Sequence, residues 1–373
     1  MGYSEIAVPP EEIVSKFAIY GEFMEASPFG GGHINDTLLS RWDQAGTTVR
    51  YIHQRINHHV FIHPDEVMEN IHRVSSHITE KLCASGEKDR SRRALTVIPA
   101  KDGALFSRDR EGGWWRTYLF IENSHTVELT ASPSEARFLG ASIGAFQKQL
   151  ADLGAPRLFD TIPNFHHMEK RYARFYDAIA KDVRGRAGNV TPEINFMKEN
   201  EERGGILIRS LREGRIPERI THNDTKMNNI LVDNGDGRAL CVIDLDTVMP
   251  GTSLFDVGDL IRTVTNRAEE DERDLSKVTF DMGFFRALVE GYLSEALGFL
   301  TKEEKVLITE SGRNLTHIMG LRFLTDYLEG DTYYHIKRPE HNLDRCRNQI
   351  ALIRSMDASW DEALRTVKEL AGL

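Results

Sequence analysis

The sequence predicts an α+β protein in two units. The first is a small, antiparallel, sheet-rich unit over residues 1–122, and the second is a larger, mainly helical unit over 123–373. Three observations carry this. The first 120 or so residues hold segments of β-branched and aromatic composition, with period-two alternation where the signal is strongest. After Asn123 the apolar residues recur at helical spacing. One short strand pair interrupts the helical part, with polar residues crowded at both of its ends.

The elements follow in order. Residues 48–56 alternate, with Ile52, Gln54 and Ile56 on one face and Tyr51, His53 and Arg55 on the other. Residues 94–98 and 114–121 suit a pleated, half-buried surface. The turn-rich stretch 101–113 between them reads as a hairpin with an exposed loop. One helix interrupts the strands. Pro64 lies near its start, Asp65 and Glu66 are in its first turn, and Val67, Ile71, Val74 and Ile78 line one side. Past the junction, Ser132, Pro133 and Glu135 form a capping box. The helix that follows sets Phe138, Leu139, Ser142, Ile143, Phe146 and Leu150 on one side. Further helices are expected over 167–182, 192–211, 281–298, 302–328 and 340–370. The strand pair is 230–232 with 239–243, joined by a turn over 233–237.

Composition narrows the function. Lys and Arg total 47 against 57 Asp and Glu, a net charge of −10. That balance argues against a nucleic-acid binder, which needs a broad basic face, and leaves room for a local phosphate pocket. No apolar run approaches the roughly 20 residues of a membrane span. The N-terminus lacks the charged and apolar regions of a signal peptide, and Ala7 stands where a myristoylation signal needs Ser or Thr. Three widely spaced cysteines (Cys83, Cys241, Cys346) fit a reducing compartment. A cytoplasmic monomer with no nucleic-acid or membrane partner is expected.

The chemistry gathers around the strand pair. Residues 221–232 contain H-x-D-x-x-x-x-N directly before a strand, as His222, Asp224 and Asn229, and the next strand ends in Ile243, Asp244, Leu245 and Asp246. Phosphoryl transfer from a nucleotide needs such a set. One carboxylate takes the proton of the acceptor hydroxyl, while an amide oxygen and a second carboxylate hold Mg²⁺ against the phosphates. Protein kinases place these groups in a catalytic loop and on the turn that follows it. In this order they are Asp224, Asn229 and Asp244. The bland alternative is a polar hairpin whose Asp and Asn merely cap turns.

These residues, with 30–37 (GGGHINDT), 51–57 (YIHQRIN), 242–262 (VIDLDTVMPGTSLFDVGDLIR) and 321–334 (LRFLTDYLEGDTYY), carry a resemblance along nearly the whole chain. The sequence resembles the aminoglycoside phosphotransferase and choline kinase group, and within it the N-acetylhexosamine 1-kinases. The resemblance implies a protein-kinase-like bilobal fold. It implies ATP as phosphoryl donor, Mg²⁺, Asp224 as catalytic base, and Asn229 and Asp244 as metal ligands, with Asp246 a weaker candidate.

It also distributes the remaining groups. Phe29 to Thr37 look like the nucleotide loop, with Gly30, Gly31 and Gly32 letting backbone N–H groups approach phosphates; alone, a glycine triplet is a turn. In the strand that usually carries a lysine, Ile52 falls over the base and Gln54 at the lysine position. Either Arg55 turns inward to supply the charge, or loop amides and Mg²⁺ neutralise the phosphates. Glu66 and Glu69 are candidates for the helix carboxylate that would pair with a cation there. Phe120, Ile121 and Glu122 correspond to the hinge against the adenine edge. Asp256 would brace the catalytic loop, while Asp259 and Arg262 read as an ordinary i,i+3 pair. The resemblance places His33, Arg322 and Tyr333 at the sugar. Asn223 and Lys226 stand beside the base, within reach of the acceptor or the transferred phosphoryl group. Arg322 and Asp326 also have the spacing of a plain i,i+4 ion pair.

The expected activity is ATP- and Mg²⁺-dependent phosphorylation of the C1 hydroxyl of N-acetylglucosamine or N-acetylgalactosamine. The alternatives are another small alcohol (choline, homoserine, methylthioribose or an aminoglycoside) and an inactive kinase-like binding module. A cationic acceptor calls for carboxylates or aromatic faces, whereas His33, Arg322 and Tyr333 suit a neutral sugar.

Overall fold

The computed structural model describes residues 8–30, 34–127 and 129–373. Among these, the N-terminal part forms one large antiparallel sheet from β1 (Glu22–Pro28), β2 (Asp36–Gln44), β3 (Thr47–Ile56), β4 (Val97–Ile98), β5 (Ser107–Arg108) and β6 (Trp114–Leu119). The spatial order is β1-β2-β3-β6-β4, with β5 also paired to β6. Two small antiparallel sheets follow, built from β7 (Ser124–Thr126), β8 (Arg219–Thr221), β9 (Ile230–Asp233), β10 (Ala239–Val242) and β11 (Met249–Gly251). One is ordered β10-β9-β7, and the other pairs β11 with β8.

The alternation of β3 sorts its side chains as expected, but both faces are covered. Tyr51 joins a core with Val8, Ile13, Phe17, Leu38, Trp42 and Trp115. Beside it the buried His53 ring is bonded by the hydroxyls of Ser40 and Thr117, each at 2.7 Å. Ile56 points to a second core. The strand expected over 94–98 reduces to Val97–Ile98, since Ala94 and Leu95 turn into that second core instead of pairing. Asp109 organises the 101–113 loop by accepting the N–H groups of Glu111 and Gly113 and the Trp115 indole N–H.

The second core sets the position of the site. It joins Val67, Ile71, Val74 and Ile78 of the Pro64–Ala84 helix to Phe146 and Leu150 and to Leu240, Cys241, Leu245 and Val248. Apolar packing therefore runs from beside the large sheet to the hairpin that carries Asp244. The largest core gathers the helices Met168–Lys181, Ser253–Thr265, Met282–Ala296, Ile308–Glu329, His341–Ala358 and Trp360–Ala371.

Some expected helices are interrupted. The stretch 192–211 becomes Thr191–Glu199, Glu201–Gly204 and Ile206–Arg212, the first break falling at Asn200, whose side chain bonds back to the Phe196 carbonyl. The last two helices also break, at Leu307 and at Ser359. The capping box at Ser132 is half formed. Its hydroxyl accepts the Glu135 N–H at 3.2 Å, while the Glu135 carboxylate takes the N–H of Ala131. In the helix Pro133–Leu150, Phe138 is 39% exposed, contrary to expectation. The buried face is shifted because this helix crosses Met282–Ala296 at glycines. A Cβ at Gly291 would run into the Arg137 carbonyl, and one at Gly140 into that of Leu288.

Candidate active site

The catalytic loop hangs between β8 and β9, with one short turn of helix, Met227–Asn229, before the strand. Asp224 leads it. Its backbone N–H donates to His222 Nδ1 at 3.2 Å, and His222 Nε2 donates to the Ile243 carbonyl at 2.8 Å. That pair of bonds fixes the tautomer and ties the loop to the end of β10. Asn229 Nδ2 donates to the Asp224 carbonyl at 2.8 Å and to its Oδ2 at 3.3 Å. With the amide nitrogen so engaged, the amide oxygen is the atom suited to a metal. Lys226 Nζ lies 3.3 Å from Asp224 Oδ2. Burial pushes the Asp224 carboxyl up, but the Lys226 ammonium and the Arg262 guanidinium outweigh it and hold it below the usual range. The Asp224 carboxylate is therefore ionised at neutral pH.

Asp256 braces this loop as expected. Its carboxylate is fully buried and accepts the backbone N–H groups of His222 at 3.0 Å and Asn223 at 2.7 Å. Gln147 Nε2 adds a third bond at 2.9 Å and is itself held by the Tyr292 hydroxyl. Asp259 pairs with Arg262 at i,i+3, but the pair is buried and its charges reach Asp224 and Lys226.

Asn223 corrects an expectation. It adopts a left-handed backbone conformation (φ 66°) and is 3% exposed. Its Nδ2 donates to the carbonyls of Thr221 and Thr247 at 3.1 and 3.0 Å, and its Oδ1 accepts the Thr221 hydroxyl. The side chain is used up beneath the loop and does not face an acceptor.

Asp244 also sits in the left-handed region (φ 61°) at the end of β10. The surrounding protein removes solvent stabilisation, and the carboxylates of Asp246 and Asp224 add repulsion; together they push its carboxyl up to about 6. An anionic group crowded in this way is suited to a cation. Among the described residues no three His, Cys, Asp or Glu side chains gather into a complete metal cage. Mg²⁺ does not need one, since it keeps several waters and takes one or two carboxylates plus substrate phosphates. Asp244 and the Asn229 amide oxygen fit that donor set. Asp246 is differently placed. It is 2% exposed, with Oδ1 paired to Arg116 and Oδ2 accepting Asn35 Nδ2 at 2.7 Å. Both oxygens are engaged within the protein, so it holds structure beside Asp244.

On the nucleotide side, Gly30 has φ 73°, a conformation that favours glycine; Gly31, Gly32 and His33 lie outside the described residues. Arg55 does not turn inward. It pairs with Asp36, its direct cross-strand neighbour on β2. The buried cation at this place is Arg116 on β6, opposite Gln54, and its carboxylate partner is Asp246, not Glu66 or Glu69. Arg116 donates to Gln54 Oε1 from Nε at 3.0 Å and from Nη2 at 2.8 Å. At the hinge, the Phe120 N–H donates to the Arg50 carbonyl, Ile121 is buried, and the Glu122 side chain is spent on Arg50. Arg92 donates to the carbonyls of Glu122 and Asn123 and pairs with Asp233, tying the hinge to the β9–β10 turn.

On the opposite side, Arg322 and Asp326 do not pair. Asp326 accepts the N–H groups of Thr332, Tyr333 and Tyr334 and the Asn342 amide, so it shapes the turn after the helix Ile308–Glu329. Arg322 lies among the rings of Phe165 (5.2 Å), Tyr334 (5.5 Å) and Tyr333 (5.8 Å). Burial lowers its pKa, but Tyr334, Tyr333 and Asp224 outweigh this and raise it. A second guanidinium, Arg171, donates twice to the Phe165 carbonyl, at 2.7 Å from Nη2 and 3.2 Å from Nε. Desolvation and then the charge of Arg322 pull Arg171 down to about 10. The two cations therefore share one region, one on the ring and one on the carbonyl of Phe165.

Known proteins match the chain in family and in fold. Residues 25–293, well over half the chain, match the model of the phosphotransferase enzyme family. The chain belongs to that family. Solved structures share its protein-kinase-like α+β fold at low identity. An aminoglycoside phosphotransferase from Alicyclobacillus acidocaldarius is 13% identical, with 99% of each chain covered and a TM-score of 0.63. An ethanolamine kinase from Plasmodium vivax is 13% identical, covering 94% of this chain and 86% of the other, with a TM-score of 0.57. A spectinomycin phosphotransferase in complex with ADP and spectinomycin is 13% identical, covering 95% of each, with a TM-score of 0.51.

In this phosphotransferase the groups around Asp224 come together from distant segments. Arg116, Asn35 and Arg171 were not singled out by sequence reasoning. An arginine inside the apolar strand 114–119 was the available signal for Arg116, since a charged residue in a buried strand needs a partner. Among the described residues no helix is long and apolar enough to cross a membrane.

Proposed function

We propose that this phosphotransferase is an ATP- and Mg²⁺-dependent kinase of a small neutral alcohol, the anomeric C1 hydroxyl of an N-acetylhexosamine, yielding the sugar 1-phosphate. The observation that carries the acceptor class is the pair of guanidiniums around Phe165, Arg322 on its ring and Arg171 on its carbonyl, with the charge of Asp224 reaching Arg322 and neither guanidinium in an ion pair with a carboxylate among the described residues. The acids nearby are committed: Asp326 to the turn, Asp256 to the loop, Asp259 to Arg262. A cationic acceptor such as choline or an aminoglycoside would meet like charge. A sugar offers hydroxyl and acetamide oxygens to a guanidinium fork, and rings on which to lie.

In this reading Asp224 accepts the C1 hydroxyl proton as the oxygen bonds to the γ-phosphorus and the bond from that phosphorus to the β,γ-bridging oxygen breaks, releasing ADP. An anomeric hydroxyl is more acidic than an ordinary alcohol, which suits a carboxylate held below its usual pKa. Lys226 offsets charge on the transferred group. Asn229 and Asp244 would hold Mg²⁺, which when bound neutralises phosphate oxygens. The ADP bound by the spectinomycin phosphotransferase supports a nucleotide as the phosphoryl donor.

A coupled ADP-release assay tests it, with MgATP and a panel of N-acetylglucosamine, N-acetylgalactosamine, glucose, choline, ethanolamine, homoserine and kanamycin. Turnover on the acetylated hexosamines, lowered about 10²–10⁴-fold in Asp224→Asn, with the product phosphate on C1 by NMR, is the expected result. Turnover confined to choline, ethanolamine or kanamycin would overturn the acceptor assignment and keep the kinase.

A further inference from the structure

We propose that Gln54 is the side chain of β3 that contacts the nucleotide phosphates, and that Arg116, packed beneath it, is a positioning residue that fixes the amide for this contact. The inference rests on the kinase reading above.

An amide has one accepting and one donating end, and only the donating end serves a phosphate. Which end faces outward is decided by the partners. A guanidinium only donates, and Arg116 directs both Nε (3.0 Å) and Nη2 (2.8 Å) at Gln54 Oε1. The oxygen is thereby turned inward. Gln54 Nε2 is left on the other side, where it reaches Thr37 Oγ1 at 3.3 Å, on the strand that leaves the glycine loop.

Arg116 cannot reach a ligand itself. It is 0% exposed and lies under Gln54. Its third direction goes to Asp246, whose other oxygen accepts Asn35 Nδ2, while Asn35 Oδ1 accepts the Asn57 N–H at 3.0 Å. A connected path thus runs from the end of β3, through the segment after the glycine loop, to the residue two beyond Asp244, and back to Gln54. A buried ion pair of this kind adds little net stability over an apolar replacement. What it does here is set one amide, at the position where a lysine would otherwise supply the donor.

Gln54→Glu is the decisive variant. It is nearly isosteric and adds a countercharge to Arg116, so the fold is expected to keep or gain thermal stability. It also turns a carboxylate oxygen toward the phosphates. Calorimetric titration of the full chain with MgADP and with adenosine, which has no phosphate, reads the effect. The expected result is MgADP affinity weakened about tenfold or more in Gln54→Ala, the loss of a hydrogen bond to a charged group, and weakened further in Gln54→Glu. Adenosine affinity should stay within about twofold of wild type in both. Arg116→Lys keeps the charge beside Asp246 and loses the two-pronged grip. It should weaken MgADP, with Gln54→Ala/Arg116→Lys no weaker than Gln54→Ala alone, because the two residues act on one contact. MgADP binding like wild type in Gln54→Glu, or additive losses in the double variant, overturns the proposal. If Arg116→Lys does not fold, the Gln54→Glu titration still decides. A wild-type chain that binds no MgADP at all would bring down the kinase reading and this inference together, before any variant is compared.

Discussion

Asp256 holds Asn223 by a 2.7 Å bond from its Oδ1 to the Asn223 backbone N–H, and through it fixes the residue directly before the base. Its other oxygen takes the His222 N–H at 3.0 Å. Two successive N–H groups pointing at one carboxylate turn the chain into the left-handed conformation seen at Asn223, and that turn presents Asp224 to the cleft.

Asp256→Asn separates positioning from stability. The amide oxygen can stay where Oδ2 accepts His222 and Gln147, which sets the NH₂ against the Asn223 N–H. One hydrogen bond is lost, worth about 1–3 kcal/mol when buried. Burial already pushes the Asp256 carboxyl up, so removing its charge returns part of that cost. Unfolding stability should therefore fall by no more than about 2 kcal/mol, while kcat drops by about tenfold or more at a temperature where the chain is folded. A stability loss with unchanged kcat would make Asp256 a structural residue only.

The three chemical groups were legible because they lie close in sequence around one hairpin. Asp224, Asn229 and Asp244 need only the strand–turn–strand to bring them together. What was not legible depends on long-range contacts. Arg116 stands 62 positions from Gln54 and 130 from Asp246, and no local period connects them. Asn223 had the right position and the wrong role, since a left-handed residue buries its side chain under the loop it begins. Arg322 and Asp326 show local spacing losing outright. An exposed i,i+4 pair is worth a few tenths of a kcal/mol, whereas Asp326 gains three backbone N–H bonds and one from Asn342.

With Asp326 so occupied, Arg322 has no carboxylate partner among the described residues, and the proposed function assigns it to the acceptor. Arg322→Met keeps the packing against Phe165 and the two tyrosines and removes the donors. Acceptor KM should rise by about tenfold to a hundredfold, the loss of one or two charge-assisted hydrogen bonds. The KM for MgATP should move by less than about twofold. Equal rises in both would mean that the variant disturbs the cleft as a whole.

The helix crossing at Gly291 gives a prediction about the fold. The Met282–Ala296 and Pro133–Leu150 helices meet backbone to backbone there, with the Arg137 carbonyl where a Cβ would be. Backbone cannot step aside as a flexible side chain can. Gly291→Ala should lower unfolding stability by about 1–3 kcal/mol or more, as overpacking does, read as a lower urea midpoint. Loss of activity at low temperature should accompany it, because the same Pro133–Leu150 helix carries Gln147 to Asp256. An unchanged midpoint would mean that the helices separate without cost.

Acid should destabilise the chain through its buried histidines from about pH 6.5 downward. His53, His166 and His317 are each held neutral in the fold, at about 3, chiefly by desolvation. His166 and His317 each also have a buried Nδ1 without a partner among the described residues, so neither is built to carry a second proton. In the unfolded chain a histidine titrates near 6.5. Below that pH the unfolded chain binds a proton that the fold refuses. Stability is therefore complete above about pH 6.5 and falls as pH drops from there toward 3, by up to about 1.4 kcal/mol per unit for each histidine. At about pH 5 the three together reach roughly 6 kcal/mol, comparable with the whole stability of a typical domain. Urea unfolding at about pH 7.5, 6 and 5 should show the midpoint falling steeply over the lower interval. His317→Gln, which keeps a polar group facing the Tyr172 hydroxyl that now meets His317 Nε2 at 2.8 Å, should flatten the slope by about a third. A midpoint flat down to pH 5 would show that these rings become protonated without opening the core.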